Sequence, residues 1–498
     1  MHVTIETGTT PNLHLSFSRC DPRDGLRGAG LRPIVSPMEW FDASGYELAR
    51  QVLQRGIAAI FVVAFVSTAA QFPALLGERG LLPVPEFLSH PLARRQPTVF
   101  RWRYSDRMLR GLCVAGALAG ASVVLGLPQL GPSWVPMLVF IFMWAAYLSI
   151  VSVGQTFYGF GWETLLLEAG FTVAFLGGAD AAPPITVLLL TRWLVFRLEF
   201  GAGLIKLRGD TAWRDLTALT YHHETQPMPN PLSRWAHRLP RWFHRFEAAA
   251  NHFTQLVVPF FLFAPQPVAT VAAAIVMATQ CWLVLTGNFA WLNVITIVLA
   301  FSAVGDPWRI VEGYPATPLW WTVIVLAASA LLVVLSWWPL RNLFSRHQLM
   351  NASFNRWHLV NAYGAFGTVT RRRYEIVIEG TLDGETWLPY EFHGKPGDVR
   401  RVPRQFAPYH LRLDWLMWFL ALGSRDDRWF RALLVKLLEA DAPTLRLLRI
   451  DPFRGERPRA VRARRYLYHF ATRGERRATG DWWTREEAGT LVPPVSLR

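Results

Sequence analysis

The sequence predicts a polytopic α-helical membrane domain of about nine spans, followed by a soluble, β-rich α+β domain. Three observations predict it. The chain of 498 residues is 52% hydrophobic, with 23 tryptophans and 32 phenylalanines, too apolar and aromatic for an ordinary soluble protein of that length. Its apolar residues fall in long blocks between about Gly56 and Leu340, several near the ~20 residues that cross a bilayer as a helix. After Leu340 the pattern changes to alternation. Arg371–Phe392 alternates apolar and polar residues on both sides of Leu382-Asp383-Gly384, a hairpin signal.

The elements follow in order. Residues 1–40 are rich in Gly, Pro and Arg without periodicity and read as a polar tail. Trp40–Arg55 reads as an amphipathic lead-in, with Asp42 and Ser44 as candidate caps. The expected spans are about 56–72, 111–127, 134–153, 160–176, 185–207, 246–263, 268–286, 289–304 and 319–335. Gly/Pro clusters at GLPQLGPSW and Ala181–Pro184 punctuate them. The transmembrane helical domain thus occupies 41–340, with a long polar loop at 208–245, and the C-terminal soluble domain 341–498. In that domain His410–Leu422 and Trp429–Ala440 have helical periodicity, and Val461–Phe470 reads as a strand.

Net charge is +15. Arginines flanking membrane spans account for it, and no nucleic-acid module is visible, so no nucleic-acid partner is expected. The three cysteines, Cys20, Cys113 and Cys281, form no CxxC pair, so neither a disulfide framework nor a thiol redox site is expected. The N-terminus has no basic stretch followed by an apolar run, hence no cleavable signal peptide is expected.

The chemistry-bearing stretch is Arg192–Pro231, where an apolar block carries Arg192, Arg197, Glu199 and Lys206. Charges in a membrane helix cost several kcal/mol unless paired or wet, and so mark functional candidates. On a helix Arg192, Glu199 and Lys206, seven apart, lie within about 40° of one another. Glu163 and Glu168 are candidate partners for Arg197. Glu247, Asn251 and Gln255 recur every four residues and form a second polar stripe. Two readings stay open: a buried polar cavity holding a substrate headgroup or a base, or interhelical ion pairs and hydrogen bonds that hold the bundle together. His222, His223 and Glu224 are assigned to the polar loop; without HExxH or similar spacing, no metal site is expected there. GxSxG, P-loop and helix-opening GxGxxG motifs are absent, and no cofactor is implied.

Several blocks resemble the lipase maturation factor family: FYGFGWETLLLEAGF, RWLVFRLEFGAGLIKLRGDTAWRDLTALTYHHETQPMPNPLS, NHFTQLVVPFFLF, NRWHLVNAYGAFGTVTRRRYEIVIEGT, PYHLRLDWLMWF and VPPVS. They run in order from about Tyr158 to Leu497. The resemblance implies a polytopic membrane protein with a non-cytoplasmic C-terminal domain that supports folding of an exported client, a lipase in animals. The scarcity of cysteine here departs from the animal members and speaks against a redox role. The compact form resembles bacterial members, which implies a bacterial inner membrane where eukaryotic relatives occupy the endoplasmic reticulum. More distantly, GAGLIKL followed by Trp213 resembles the segment of vitamin K-dependent γ-carboxylases and related horizontally transferred transmembrane domains that holds the catalytic lysine. That resemblance implies Lys206 as a base acting on a lipid or exported protein, an alternative to the non-enzymatic maturation factor.

Overall fold

The computed structural model describes residues 40–91, 93–306, 314–423 and 428–497. The tail expected over 1–40 therefore lies almost wholly outside the described residues, as does Cys20. Helix α1, Glu47–Leu75, runs straight out of the lead-in. At 29 residues it is about 44 Å long. Neither Asp42 nor Ser44 caps it. Ser44 opens a short 3-10 turn, and Asp42 accepts a hydrogen bond from Thr317 at 2.7 Å.

Helix α2, Asp106–Val124, starts at Ser105, whose hydroxyl accepts from the Met108 amide. Its Gly116 and Gly120 face α1. A Cβ on Gly116 would stand 2.5 Å from the Phe65 ring, and one on Gly120 2.8 Å from Val62. This four-residue spacing of glycines lets two apolar helices approach closely where lipid supplies no hydrophobic drive. Helices α3 (Trp134–Val151), α4 (Gly161–Val173), α5 (Ile185–Arg208), α6 (Leu219–Thr225), α7 (Arg241–Leu256), α8 (Val268–Thr286), α9 (Leu292–Ala300) and α10 (Leu319–Leu335) follow.

Among the described residues, five helical segments are long and apolar enough to cross a membrane: Ser44–Leu75, Asp106–Val124, Trp134–Val151, Val268–Thr286 and Leu319–Leu343. They coincide with five of the nine expected spans. The remaining apolar blocks all form helices, but of another kind. Helices α4 and α9 have 13 and 9 residues, and α7 breaks after Leu256. Helix α5 has 24 residues but carries Arg192, Arg197, Glu199 and Lys206. Composition cannot separate a helix that is apolar because it faces lipid from one buried by protein. Helix α10 leaves Val323, Leu331, Val333 and Val334 exposed, whereas nearly all of α4 is buried.

The polar loop expected at 208–245 is also largely helical. It contains Thr211–Arg214, α6, Ser233–His237 and the start of α7. His222, His223 and Glu224 thus sit on a helix, not in a loop.

The C-terminal part holds a four-stranded antiparallel sheet in the order β2-β1-β3-β4. Its strands are β1 Arg373–Thr381, β2 Leu388–Pro389, β3 Ala460–Phe470 and β4 Trp483–Val495. The expected hairpin is present, with Glu379 opposite Pro389, and β3 lies along β1 from Arg373↔Tyr468 to Thr381↔Ala460. Strand β4 escaped the sequence pattern because most of it is exposed and ends in Pro493-Pro494, tolerable on an edge strand. Helices α11, Arg412–Ala421, and α12, Arg428–Leu438, complete it.

The C-terminal part is tied to the helices by buried charge. Arg373, 1% exposed, donates to the backbone carbonyls of Glu224 at 2.9 Å and Gln226 at 2.5 Å and pairs with Glu375, which also pairs with Lys395. Residues Phe41–Arg498 make one compact unit.

Candidate functional site

The charged residues expected in one polar cavity are divided by the fold among four places. Two are ion-pair knots. Glu163 on α4 pairs with Arg412 at the start of α11; its other oxygen accepts from the Tyr147 hydroxyl on α3. His410 Nδ1 lies 3.2 Å from Glu163. Glu168, five residues on, pairs with Arg197 of α5. It accepts from the Asn361 amide at 2.8 Å and the Tyr363 hydroxyl at 2.7 Å, while Arg197 donates to the Asn361 carbonyl at 2.6 Å. Of the two carboxylates expected opposite Arg197, Glu168 is the partner and Glu163 is not. Both knots stitch the NAYGAF and PYHLRLDW stretches to the helices. Buried charges are tolerated only when so compensated.

Arg192 makes a different contact. It donates to the carbonyls of Ser302 at 3.0 Å and Leu262 at 3.3 Å and lies over the Tyr46 ring.

The fourth place is a cavity of about 300 Å³ walled by α5 to α9. Here the helical spacing read from the sequence takes effect. Glu199 and Lys206, seven apart on α5, both line it, as do Glu247, Asn251 and Gln255, four apart on α7. Lys206 Nζ donates to Asn251 Oδ1 and Gln255 Oε1, each at 2.8 Å, and stands 4.7 Å from the centroid of the Trp213 ring. Its hydrogen-bond partners are neutral amide oxygens. Glu199 accepts from Gln280 on α8 at 2.6 Å. Ala202, Phe289 and Phe366 supply apolar wall, so the cavity combines greasy sides with a few fixed polar groups, the usual make-up of a small-molecule pocket.

Helix α6 brings His222 and His223 to the same wall. His222 stacks parallel to Phe289. Burial, with His223 beside it, pushes its imidazole down to about 3, so it is neutral across the physiological range. His223 Nε2 lies 3.2 Å from Glu247 Oε2. Glu224 turns away from the cavity and accepts from the Phe470 amide of β3 at 2.8 Å.

One cavity neighbour was missed. His244 lies one helical turn before Glu247 on α7, with Nδ1 3.6 Å from Glu247 Oε2. With His223 it forms a set of three groups whose ligand atoms all lie within 4.8 Å of one another. The expectation of no metal site rests on linear spacing around His222 and His223 and on the two-turn spacing of His237, His244 and His252, neither of which pairs His244 with Glu247. The signal that existed was His244-x-x-Glu247, an i,i+3 pair on one helix face.

Two family models match the sequence over most of the chain. The model of the lipase maturation factor transmembrane domain covers residues 48–309, and that of the lipase maturation factor C-terminal domain covers 359–493.

The chain belongs to the lipase maturation factor family.

It is 37% identical to lipase maturation factor 1 of Bos taurus, covering 95% of this chain and 96% of that protein. Against lipase maturation factor 1 of Homo sapiens the identity is 37%, over 94% and 91%. Lipase maturation factor 2 of Homo sapiens is 30% identical, over 91% and 83%. No solved structure matches the chain. Within the family frame, the cavity joins both matched regions: its α5 to α9 walls fall in the first and Phe366 in the second. The two ion-pair knots do the same, since Glu163, Glu168 and Arg197 lie in the first and Asn361 and Arg412 in the second.

Proposed function

We propose that this chain is an integral-membrane maturation factor for exported enzymes, lipases among them, and not itself an enzyme. The observation that carries the reading is identity of 37% with lipase maturation factor 1 along 95% of the chain. The C-terminal part engages the folding client on the non-cytoplasmic side, while the helical part anchors it. In a bacterial host that membrane is the inner membrane. The cavity, with apolar walls and a lysine held by amides, has the character of a site for one membrane lipid. The helices short of spanning length dip part-way into the bilayer around it, protected by the longer ones.

The test is deletion of the gene in its own host, followed by assay of secreted lipase. Activity per unit of secreted lipase should fall and return with the wild-type gene. Unchanged specific activity of the secreted enzymes would refute the reading.

One observation favours a second reading. Lys206 is 5% exposed, on the wall of a cavity, and its two hydrogen bonds go to neutral amides. A lysine in that setting is the type of residue that serves as a base. A carboxylase-like enzyme acting on a lipid or exported protein would then use Lys206, and substitution of that one residue separates the two readings.

A further inference from the structure

The cluster of His223, His244 and Glu247 poses a hydrogen-bonding problem that either a second proton on His244 or a bound metal ion would solve. His244 Nε2 lies 3.3 Å from the carbonyl oxygen of His237. A carbonyl only accepts, so Nε2 carries a hydrogen and donates it. In neutral imidazole that leaves Nδ1 with a bare lone pair. Nδ1 is buried without a hydrogen-bond partner, yet it stands 3.6 Å from the Glu247 carboxylate. A lone pair facing an anionic oxygen in a buried place is repulsive unless a proton or a metal ion lies between them. The same carboxylate oxygen is approached by His223 Nε2 at 3.2 Å.

The spacing suits a metal ion. Two ligand atoms on a tetrahedral zinc, each about 2.0–2.1 Å from the metal, are roughly 3.3 Å from one another. Two of the three edges, 3.2 and 3.6 Å, lie near that value, and all three ligand atoms lie within 4.8 Å of one another. The outer groups are arranged as metal ligands require. The His237 carbonyl fixes the His244 ring with Nδ1 inward. Trp282 Nε1 holds the other oxygen of Glu247 at 2.6 Å, leaving Oε2 for the cluster. Such second contacts orient ligands and set their basicity.

We propose that His223, His244 and Glu247 bind one divalent transition-metal ion of the zinc class. Three protein ligands leave a fourth position open, as in zinc sites that accept water or a ligand oxygen. Both His223 and Glu247 line the large cavity, so the open position faces it. The ion would pin α6 to α7, closing the polar segment onto the membrane helices. It would also give the cavity a Lewis-acidic point for a carboxylate or phosphate oxygen.

The experiment uses the full chain purified in detergent without a histidine tag and stripped with chelator. Zn²⁺ is titrated by calorimetry, and Co²⁺ by visible absorption. One ion per chain is expected, with the intense Co²⁺ bands of a four-coordinate site. His244→Ala and Glu247→Gln should abolish binding, and His244→Cys, which keeps a ligand, should restore it. Trp282→Phe removes only the outer hydrogen bond and should weaken binding roughly 10- to 100-fold. His252→Ala, outside the cluster, should leave it unchanged. Absence of stoichiometric binding, the weak bands of six-coordinate Co²⁺, or binding indifferent to these substitutions would overturn the proposal. If the ligand variants do not fold, the wild-type Co²⁺ spectrum and Trp282→Phe still decide it.

Discussion

Glu163 and Arg412, 249 positions apart, form an ion pair in which neither side chain has any solvent exposure. The pair joins a short helix of the transmembrane region to the first helix of the C-terminal part. The Arg412 guanidinium also lies 3.6 Å from the centroid of the Tyr158 ring. Breaking a buried pair from one side strands a charge and costs about 3–5 kcal/mol, while replacing both partners by apolar groups can be nearly neutral. Arg412→Met should therefore lower the thermal midpoint sharply in detergent. Adding Glu163→Leu should recover much of the loss. A double variant no more stable than the single would show that the pair does not act as a unit.

The second knot predicts a weaker uncoupling. Removing Tyr363 to Phe takes one hydrogen bond from Glu168 but leaves Arg197 and Asn361 in place. A hydrogen bond to a charged group is worth about 1.5–3 kcal/mol. Tyr363→Phe should cost that much in stability and leave membrane insertion unchanged, as read by melting and by membrane fractionation.

Lys206 separates the two functional readings. Lys206→Ala deletes the cation between Asn251 and Gln255 without touching either ion-pair knot. The maturation-factor reading expects secreted lipase activity to stay near the wild-type level once the protein accumulates normally. The base reading expects activity to fall by orders of magnitude, with Lys206→Arg no better, since arginine does not give up its proton.

Close approach of α1 and α2 depends on Gly116, where a Cβ would meet Phe65 at 2.5 Å. Overpacking such a contact costs about 1–3 kcal/mol. Gly116→Ala should destabilise by that amount, and Gly116→Leu should prevent accumulation of the protein, as read by immunoblot of membranes. Gly111, with open space around its position, should accept alanine without loss.

Acid should loosen the segment after α10. Burial pushes the His358 imidazole down to about 4, from an ordinary value of about 6.5. The folded state then binds fewer protons than the unfolded state between those values. Stability from this group is complete above pH ~6.5 and is lost as pH falls towards 4, by up to about 2 kcal/mol at pH 5. His358→Asn, compatible with the positive φ of 52° at this position, should flatten that part of the profile. Melting temperatures between pH 7 and 5 measure it. An unchanged slope would show that the histidine does not titrate in this way.

The sequence by itself determined the membrane class, the hairpin around Asp383 and the family. These rest on local signals: apolar runs, period-two alternation and ordered motifs. It also placed Glu199 with Lys206, and Asn251 with Gln255, because helical periodicity fixes which residues share a face. The span count was not legible in that way. A helix buried by protein and one bathed in lipid have the same composition, and only packing tells α4 from α10. Nor was the partition of charges. Arg192, Arg197, Glu163 and Glu168 looked like members of one cavity because each was costly in an apolar setting. The groups that offset these costs, a counter-charge for Arg197, Glu163 and Glu168 and backbone carbonyls for Arg192, come from elements 29 to 249 residues away. The same holds for His223, His244 and Glu247. One helix supplies two of them at a readable spacing, but the third arrives from α6, and only the folded chain brings its Nε2 to their carboxylate.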